Sequence, residues 1–233
     1  MQRKQFLRHV GALIGGAALA PLITACGGGG GSDADTATPT AVTDTSTAAA
    51  PTATQSSSVG VLSAAEIAGL KFMREEEKLA HDVYIAMFAL WGHQTFANIA
   101  ESETTHTEAI LALLTKYGVD DPAAGKAAGV FEDPELQALY DTLVAAGSAN
   151  LIEGLKVGAL IEETDIEDIE ERKEVTDESD ILRVYDSLLC GSRNHLRAFN
   201  GALLDQGVTY VAQVISQEEW DAIAYSARET CGG

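Results

Sequence analysis

Apolar residues recur three and four positions apart along four long stretches of this chain, and that spacing predicts amphipathic helices. The first helix opens at a capping-box pattern, Ser63 with Glu66, and ends before Gly92. No stretch shows a convincing strand pattern. The predicted long helices cover about 64–91, 95–117, 149–171 and 180–204, and two short ones cover about 135–147 and 217–228.

The lengths of the connections predict how these helices are arranged. Short connections join helices 1 and 2 and helices 3 and 4, so each pair is expected to form an antiparallel hairpin. The middle connection, about residues 119–148, must cross the length of the bundle. The sequence therefore predicts an all-α fold, a ferritin-like four-helix bundle with a long crossover between helices 2 and 3 and short extra helices. Other bundles share this connectivity.

The apolar face of each long helix is interrupted by polar residues near the middle of the helix. Because a helix rises about 1.5 Å per residue, antiparallel neighbours bring these interruptions to one level. The sequence thus predicts that the four helices direct polar side chains to a common point. The interrupting residues, in helix order, are Glu77; Glu103 and His106; Glu162 and Asp165; and Ser192 and His195.

Carboxylates buried in an apolar core cost several kcal/mol each unless a partner compensates them, so their convergence predicts a divalent metal ion. Glu103 and His106 are three residues apart and share one helix face, so both can reach one centre. A carboxylate can bridge two ions while each imidazole binds one. A single Glu or His at such a position is more often a satisfied core residue; the prediction rests on five residues at matched depth.

Three segments carry a resemblance to a known family: REEEKLAHDVY, IEETDIEDIEE and SRNHLRAF. Together with Glu103-x-x-His106 they resemble the ferritin-like superfamily and, more closely, an uncharacterised bacterial ferritin-like family, domain-of-unknown-function family 2202. The resemblance covers about residues 62–228. It implies that Glu77 and Glu162 are single-helix carboxylate ligands, that Glu103 bridges, and that His106 and His195 are terminal ligands.

One position departs from the ferritin-like pattern. The fourth helix should offer Glu-x-x-His, and Ser192 stands where the glutamate belongs. Asp165, on the same face as Glu162, can supply the missing oxygen, which makes the predicted site asymmetric and puts a second metal position in doubt. Tyr84 is the candidate catalytic residue, as a redox-active or hydrogen-bonding neighbour of the metal; its alternative role is that of a core aromatic residue.

Neighbouring acidic and histidine side chains receive other roles. Glu76 is the alternative to Glu77 as a ligand, and Glu75 is expected on a flanking face of helix 1. His81 is expected at the surface or behind the ligands. The remaining acids of the run at 162–180 are expected to form a solvated face.

Oxygen-rich ligands with some imidazole favour iron or manganese. The expected chemistry is oxidation of Fe(II) by oxygen or peroxide, with carboxylates changing between bridging and terminal binding. Two alternatives remain open: a dimanganese site that destroys peroxide, and a non-catalytic bundle in which metal is structural or absent and the protein is an interaction module.

The N-terminal segment predicts export. Residues 1–26 have a basic start, an apolar middle too short to span a membrane, and a lipobox-like end, so Cys26 is the predicted lipid attachment that anchors the protein to a membrane. RKQFLR at residues 3–8 resembles a twin-arginine signal with Lys4 in the second position. Residues 27–60 form a tether rich in Gly, Ser, Thr, Ala and Pro, and residues 61–233 the helical domain. The expected location is the cell envelope, as a periplasmic lipoprotein.

The net charge limits the classes of binding partner that are expected, and the cysteine content limits the disulfides that can form. The formal net charge of −20 excludes nucleic acid, which requires a basic surface, and is compatible with metal ions. If Cys26 carries lipid, Cys190 and Cys231 form an even pair in an oxidising compartment, where a disulfide is permissible but not required. A homodimer is left open.

Overall fold

The computed structural model describes residues 60–232, and within this range every regular element is an α-helix. The all-α prediction is confirmed for that part of the chain. None of its helices has the length and apolar character needed to cross a membrane. The predicted export signal, Cys26 and nearly all of the predicted tether lie outside the described residues. The six helices are α1 (Ala64–Trp91), α2 (Gln94–Tyr117), α3 (Pro134–Gly147), α4 (Leu151–Lys173), α5 (Ser179–Asp205) and α6 (Gln217–Ala224).

The ends of α1 and α2 are formed by the signals that the sequence contains. The Ser63 side chain accepts from the Glu66 amide while the Glu66 carboxylate accepts from the Ser63 amide, which completes the capping box. Gly92 and Gly118 end α1 and α2 at φ values of 63° and 65°, a left-handed conformation that glycine adopts without strain. Because only residues 92 and 93 separate α1 from α2, the two helices pack as an antiparallel hairpin.

The four long helices surround one core. α1 packs on α2 and α4 packs on α5, and the two hairpins meet through contacts of α1 with α4 and of α2 with α5. Near the end of α2, the Lys116 amino group lies 2.5 Å from the carboxylate of Asp180, near the start of α5, so these helices also run antiparallel. α2 and α4 therefore run in the same direction, and the segment between them traverses the length of the helices, as predicted.

The apolar faces predicted from spacing are the ones that are buried. Phe96, Ile110, Leu155 and Phe199 are completely inaccessible to solvent. The remaining buried side chains of these faces include Leu70, Met73, Tyr84, Met87, Ile99, Leu113, Ile169, Tyr185 and Leu188.

Buried carboxylates of α1 hold the crossover in place. Glu75 accepts hydrogen bonds from the backbone amides of Glu132 and Asp133, the latter at 2.9 Å, just where α3 begins. Asp82 accepts from the Gly129 amide, also at 2.9 Å. Glu75, expected on a flanking face, is only 3% exposed because the crossover covers that face.

The prediction of a solvated face on α4 was wrong for Glu163. This side chain is fully buried, and its Oε2 accepts from the backbone amides of Gln213, Val214 and Ile215 at 2.9, 2.9 and 3.2 Å. The loop between α5 and α6 folds over the middle of α4 and presents three amide groups to one oxygen. A charge pattern read along one helix cannot show that a distant loop covers it.

The C-terminal prediction needs a second correction, since α6 ends at Ala224 and not near Arg228. The chain leaves the helix because residues beyond it bind α5: Ser226 accepts from Arg197 at 2.8 Å, and Glu229 pairs with Arg193 at 2.6 Å. Tertiary contacts therefore override the local helical preference. The disulfide that the sequence permits is formed, between Cys190 of α5 and Cys231.

Glycine at position 158 is required by the aromatic core. A Cβ atom there would overlap the ring of Phe199, which packs against Tyr84 with ring centroids 5.3 Å apart. We expect Gly158→Ala to lower the free energy of unfolding by about 1–3 kcal/mol through overpacking. In the matched control Gly201→Ala, which is also inside a long helix (α5) but has open space around the site, stability should rise by about 0.5–1 kcal/mol. Urea unfolding of both variants measures this, and a stable Gly158→Ala protein would contradict the packing described.

Candidate metal centre

The polar residues that interrupt the four apolar faces come together in the interior. Glu77 lies on α1, Glu103 and His106 on α2, Glu162 on α4 and His195 on α5. Each is at most 7% exposed. The structure therefore brings together, at one level between four helices, the five residues singled out by spacing.

Glu103 is the middle member of this group. Its Oε2 lies 2.7 Å from Nδ1 of His106, and its Oε1 lies 2.9 Å from Nδ1 of His195. On the two flanks, Oε2 of Glu77 lies 3.2 Å from Nδ1 of His106, and Oε2 of Glu162 lies 3.4 Å from Nδ1 of His195. The donors thus form two overlapping triplets, Glu77–Glu103–His106 and Glu103–Glu162–His195, each with its atoms within 4.8 Å of one another.

Several of these atoms are buried without a hydrogen-bond partner. Oε1 of Glu77, Oε2 of Glu103 and Nδ1 of His195 have none, although nitrogen and oxygen approach closely. Nδ1 of His106 forms a hydrogen bond with Oε2 of Glu77, whereas the three partnerless atoms lie near other donors without the alignment that a hydrogen bond requires. Such a set can hold a metal ion, because a cation satisfies all of these atoms together. Carboxylate oxygen with imidazole suits iron, manganese or zinc, and no thiolate takes part.

Asp165 and Ser192 occupy the asymmetric side of the centre. Asp165 is 6% exposed and its Oδ2 accepts a hydrogen bond from Ser192, while its Oδ1 has no hydrogen-bond partner. Asp165 belongs to neither triplet, and the second triplet is completed by Glu162 instead. Ligation by Asp165 thus stays a prediction; in the structure it is hydrogen-bonded to Ser192 beside the donors.

Tyr84 contacts the centre through a carboxylate. Its hydroxyl donates to Oε1 of Glu162 at 2.5 Å, and its ring is fully buried against Phe96 and Phe199. The residue is thus both a core aromatic and a neighbour of a candidate ligand. Through this bond it orients Glu162; redox activity of the phenol stays a prediction.

Two residues that support the imidazoles escaped the sequence reasoning. Ser102 Oγ lies 2.8 Å from Nε2 of His195, which leaves Nδ1 of that ring directed at Glu103. Gly191 lies against the ring of His106, and a Cβ there would overlap Nε2 and Cε1. A glycine within a helical pattern indicates close approach by another group, so Gly191 was detectable in principle.

Other candidates lie outside the donor set. His81 is paired with Asp82, with Nδ1 2.9 Å from Oδ1, and contributes to neither triplet. Glu76 is buried, but the candidate triplets contain Glu77 and not Glu76, so the choice of Glu77 as a ligand stays a prediction. Burial raises the pKa of Glu76 well above its usual value, reinforced by the nearby carboxylates of Asp168 and Asp165.

Without a cation the centre binds protons. Burial disfavours the imidazolium of His195, but the carboxylates of Glu103 and Glu162 outweigh it and raise the pKa of His195 to about 10. His106 behaves likewise, and Glu103 and Glu77 raise its pKa well above the usual value. Burial raises the pKa of Glu77 to about 7, against the opposing effect of His106. These protons occupy the positions in which a cation would compensate the carboxylates.

Together these observations define an all-helical protein with a buried carboxylate and histidine cluster able to hold metal. A family model described as an uncharacterized protein domain, DUF2202, matches residues 66–227. The chain therefore belongs to the DUF2202 family.

A relative and a solved structure agree with this assignment. The chain is 47% identical over 168 residues to the uncharacterized protein MJ0754 of Methanocaldococcus jannaschii, covering 72% of this chain and 91% of the relative. The crystal structure of the hypothetical protein MJ0754 from Methanococcus jannaschii superposes with a TM-score of 0.71 and covers 72% of this chain and 96% of that one. Neither name states an activity.

The charge state of the centre predicts a pH dependence for the metal-free protein. When folding raises the pKa of a histidine, that histidine stabilises the folded state fully at pH values below its pKa in the unfolded chain. This stabilisation is lost as the pH rises to the pKa of the folded state. For His195 the window runs from 6.5 to about 10. We therefore expect the urea concentration at the midpoint of unfolding of the EDTA-treated protein to decrease as the pH is raised from 6.5 to 9.5.

Two variants separate the contribution of His195 from general effects of pH. His195→Gln should flatten the dependence, whereas His93→Gln, in the turn before α2, should retain it. An equally steep decline in His195→Gln would contradict the assignment.

Proposed function

We propose that this protein is a ferritin-like bundle that binds iron or manganese at the buried centre and supports oxidation of Fe(II) by oxygen or peroxide. The course of the helices supports the fold: two antiparallel hairpins are joined by a crossover that holds α3 and runs along the bundle. The single observation that carries the proposal is the position of Glu103, whose two oxygens each face a different imidazole.

The residues present fit two neighbouring cation positions. Glu77 and His106 would hold one ion, Glu162 and His195 the other, and Glu103 would contact both. Bound iron supplies one-electron redox chemistry at neutral pH. Ser102 and Gly191 fix the two imidazoles, and Tyr84 fixes Glu162 by its hydrogen bond. Hydrogen peroxide takes one electron from each of two Fe(II) ions, together with two protons, and leaves as two water molecules.

The proposal extends to the N-terminal segment. Export of the chain and lipid attachment at Cys26 would place the helical domain at the cell envelope, on a tether. Metal ions and oxidants from outside the cell would reach the protein there. Such a protein can lower free Fe(II) or peroxide near a membrane.

Two other functions remain candidates because they use the same residues. A dimanganese form would destroy peroxide with release of oxygen, which an oxygen electrode detects in Mn-loaded protein. A structural ion would raise the melting temperature of the protein, and the protein would neither oxidise Fe(II) nor consume peroxide. The close, unaligned approach of donors favours metal binding in both cases, and their different readouts separate them from Fe(II) oxidation.

The central test removes the charge that both triplets share. Glu103→Gln keeps the size of the side chain but lacks the second charged oxygen, so metal bound per chain should fall and Fe(II) oxidation should slow by about 100-fold. Elemental analysis and near-ultraviolet absorbance after aerobic Fe(II) addition measure the two effects. The matched control is Glu101→Gln, an exposed residue two positions earlier in α2, which should behave as the native protein.

The outcomes distinguish the candidates. Equal oxidation rates in native protein and Glu103→Gln would remove the oxidase function. If the native protein never oxidises Fe(II), but removal of its metal lowers the melting temperature, a structural ion is supported instead.

A further inference from the structure

A cavity of about 960 Å³ lies beside the centre, between α2, α5 and the C-terminal segment. Both imidazoles line it: His106 and His195 turn Nδ1 toward the carboxylates, and Ser102, which bonds Nε2 of His195, belongs to the cavity wall. The cavity therefore reaches the outer side of the two histidines. Its volume is within the range of sites that bind small molecules.

The lining of this cavity differs in charge from the rest of the protein, which is strongly acidic. Several hydroxyl and amide groups line it, among them Asn98, Ser102 and Thr230. Its one lining carboxylate, Glu229, is neutralised by guanidinium groups, with Arg197 at 2.7 Å. Two arginines, Arg197 and Arg228, also line the cavity, so against a chain charge of −20 this wall does not attract cations and accommodates small polar molecules that carry no positive charge.

The outer wall of the cavity is a segment fastened at several points. Residues 226–231 have no regular structure, yet Cys231 is bonded to Cys190 of α5. The Glu229 carboxylate pairs with Arg193 and Arg197.

Asn194 of α5 binds the backbone of the same segment in both directions. Its Oδ1 accepts from the Glu229 amide at 2.9 Å, and its Nδ2 donates to the Glu229 carbonyl at 3.1 Å. A short irregular segment would not hold this position unaided, because ordering each residue costs about 1–2 kcal/mol.

We propose that this cavity is the port through which a small polar reactant without positive charge, such as a peroxide, reaches the centre, and that residues 226–231 are its disulfide-fastened cover. The inference rests on the proposed metal function and adds how that site is reached. Cys190 precedes Gly191, the residue that abuts His106, so the fastening point and the centre lie on the same turn of α5. The cover admits small molecules and excludes bulky ones.

The test compares access before and after the cover is unfastened. Cys190→Ser/Cys231→Ser/Glu229→Gln removes the disulfide and the ion pairs, and Lys116→Gln, which breaks an ion pair between the same two helices elsewhere, is the control. In Co²⁺-loaded protein, stripping of the ion by EDTA should accelerate about tenfold or more in the triple variant and not in the control. Azide, a small probe, should react at similar rates in all three proteins.

A second readout needs no metal. In metal-free protein, a soluble gadolinium chelate should broaden the amide resonances of residues 98–106 more strongly in the triple variant than in the native chain. Unchanged broadening together with unchanged EDTA rates would overturn the cover. If Co²⁺ fails to bind the native protein, the proposed function falls, and the gadolinium measurement alone still decides whether the segment covers the port.

Discussion

The burial of charged groups at one level between four helices is the constraint on which this structure depends. Three glutamates and two histidines occupy positions where packing alone would place apolar side chains, and each is nearly inaccessible to solvent. An uncompensated carboxylate in such a place costs several kcal/mol. The imidazoles compensate part of that cost, yet the charged donors still leave buried atoms without partners. The centre therefore lowers the stability of the metal-free fold, and a bound cation could satisfy the atoms that lack partners.

Buried carboxylates elsewhere in the protein show what compensation looks like when the role is structural. Glu75 receives two backbone amides, Asp82 receives the Gly129 amide, and Glu163 receives three from one loop. Each of these acids ties a connecting segment to a long helix. Glu77 and Glu103 have no backbone donor among their partners; they face imidazoles. The partner of a buried carboxylate, rather than burial itself, therefore distinguishes a structural acid from a candidate ligand.

The helices and the centre were predictable from sequence because both follow from helical periodicity. A three-and-four spacing identifies a buried face, and a polar residue on that face must lie in the interior, which is how Glu77 and His195 were found. Contacts made by irregular segments have no such period. The loop over Glu163, the early end of α6 and the tail that walls the cavity depend on chain segments far apart in sequence, and a local pattern does not encode them. Gly191 and Ser102 are an intermediate case. Helical periodicity gives their positions on α5 and α2, but it does not show that they contact His106 and His195.

Ser192, which stands where the ferritin-like pattern would have a glutamate, affects the charge of the proposed centre as well as its symmetry. Two divalent ions carry four positive charges, whereas Glu77, Glu103 and Glu162 carry three negative ones. Asp165 is a fourth carboxylate close to the donors, held by a hydrogen bond from Ser192. Burial and the neighbouring carboxylates raise the pKa of Asp165, and bound cations oppose that effect. Ser192 thus contributes a hydrogen bond to an acid beside the donors, where the ferritin-like pattern has a glutamate. A fourth carboxylate is therefore kept close to the centre although α5 itself offers none.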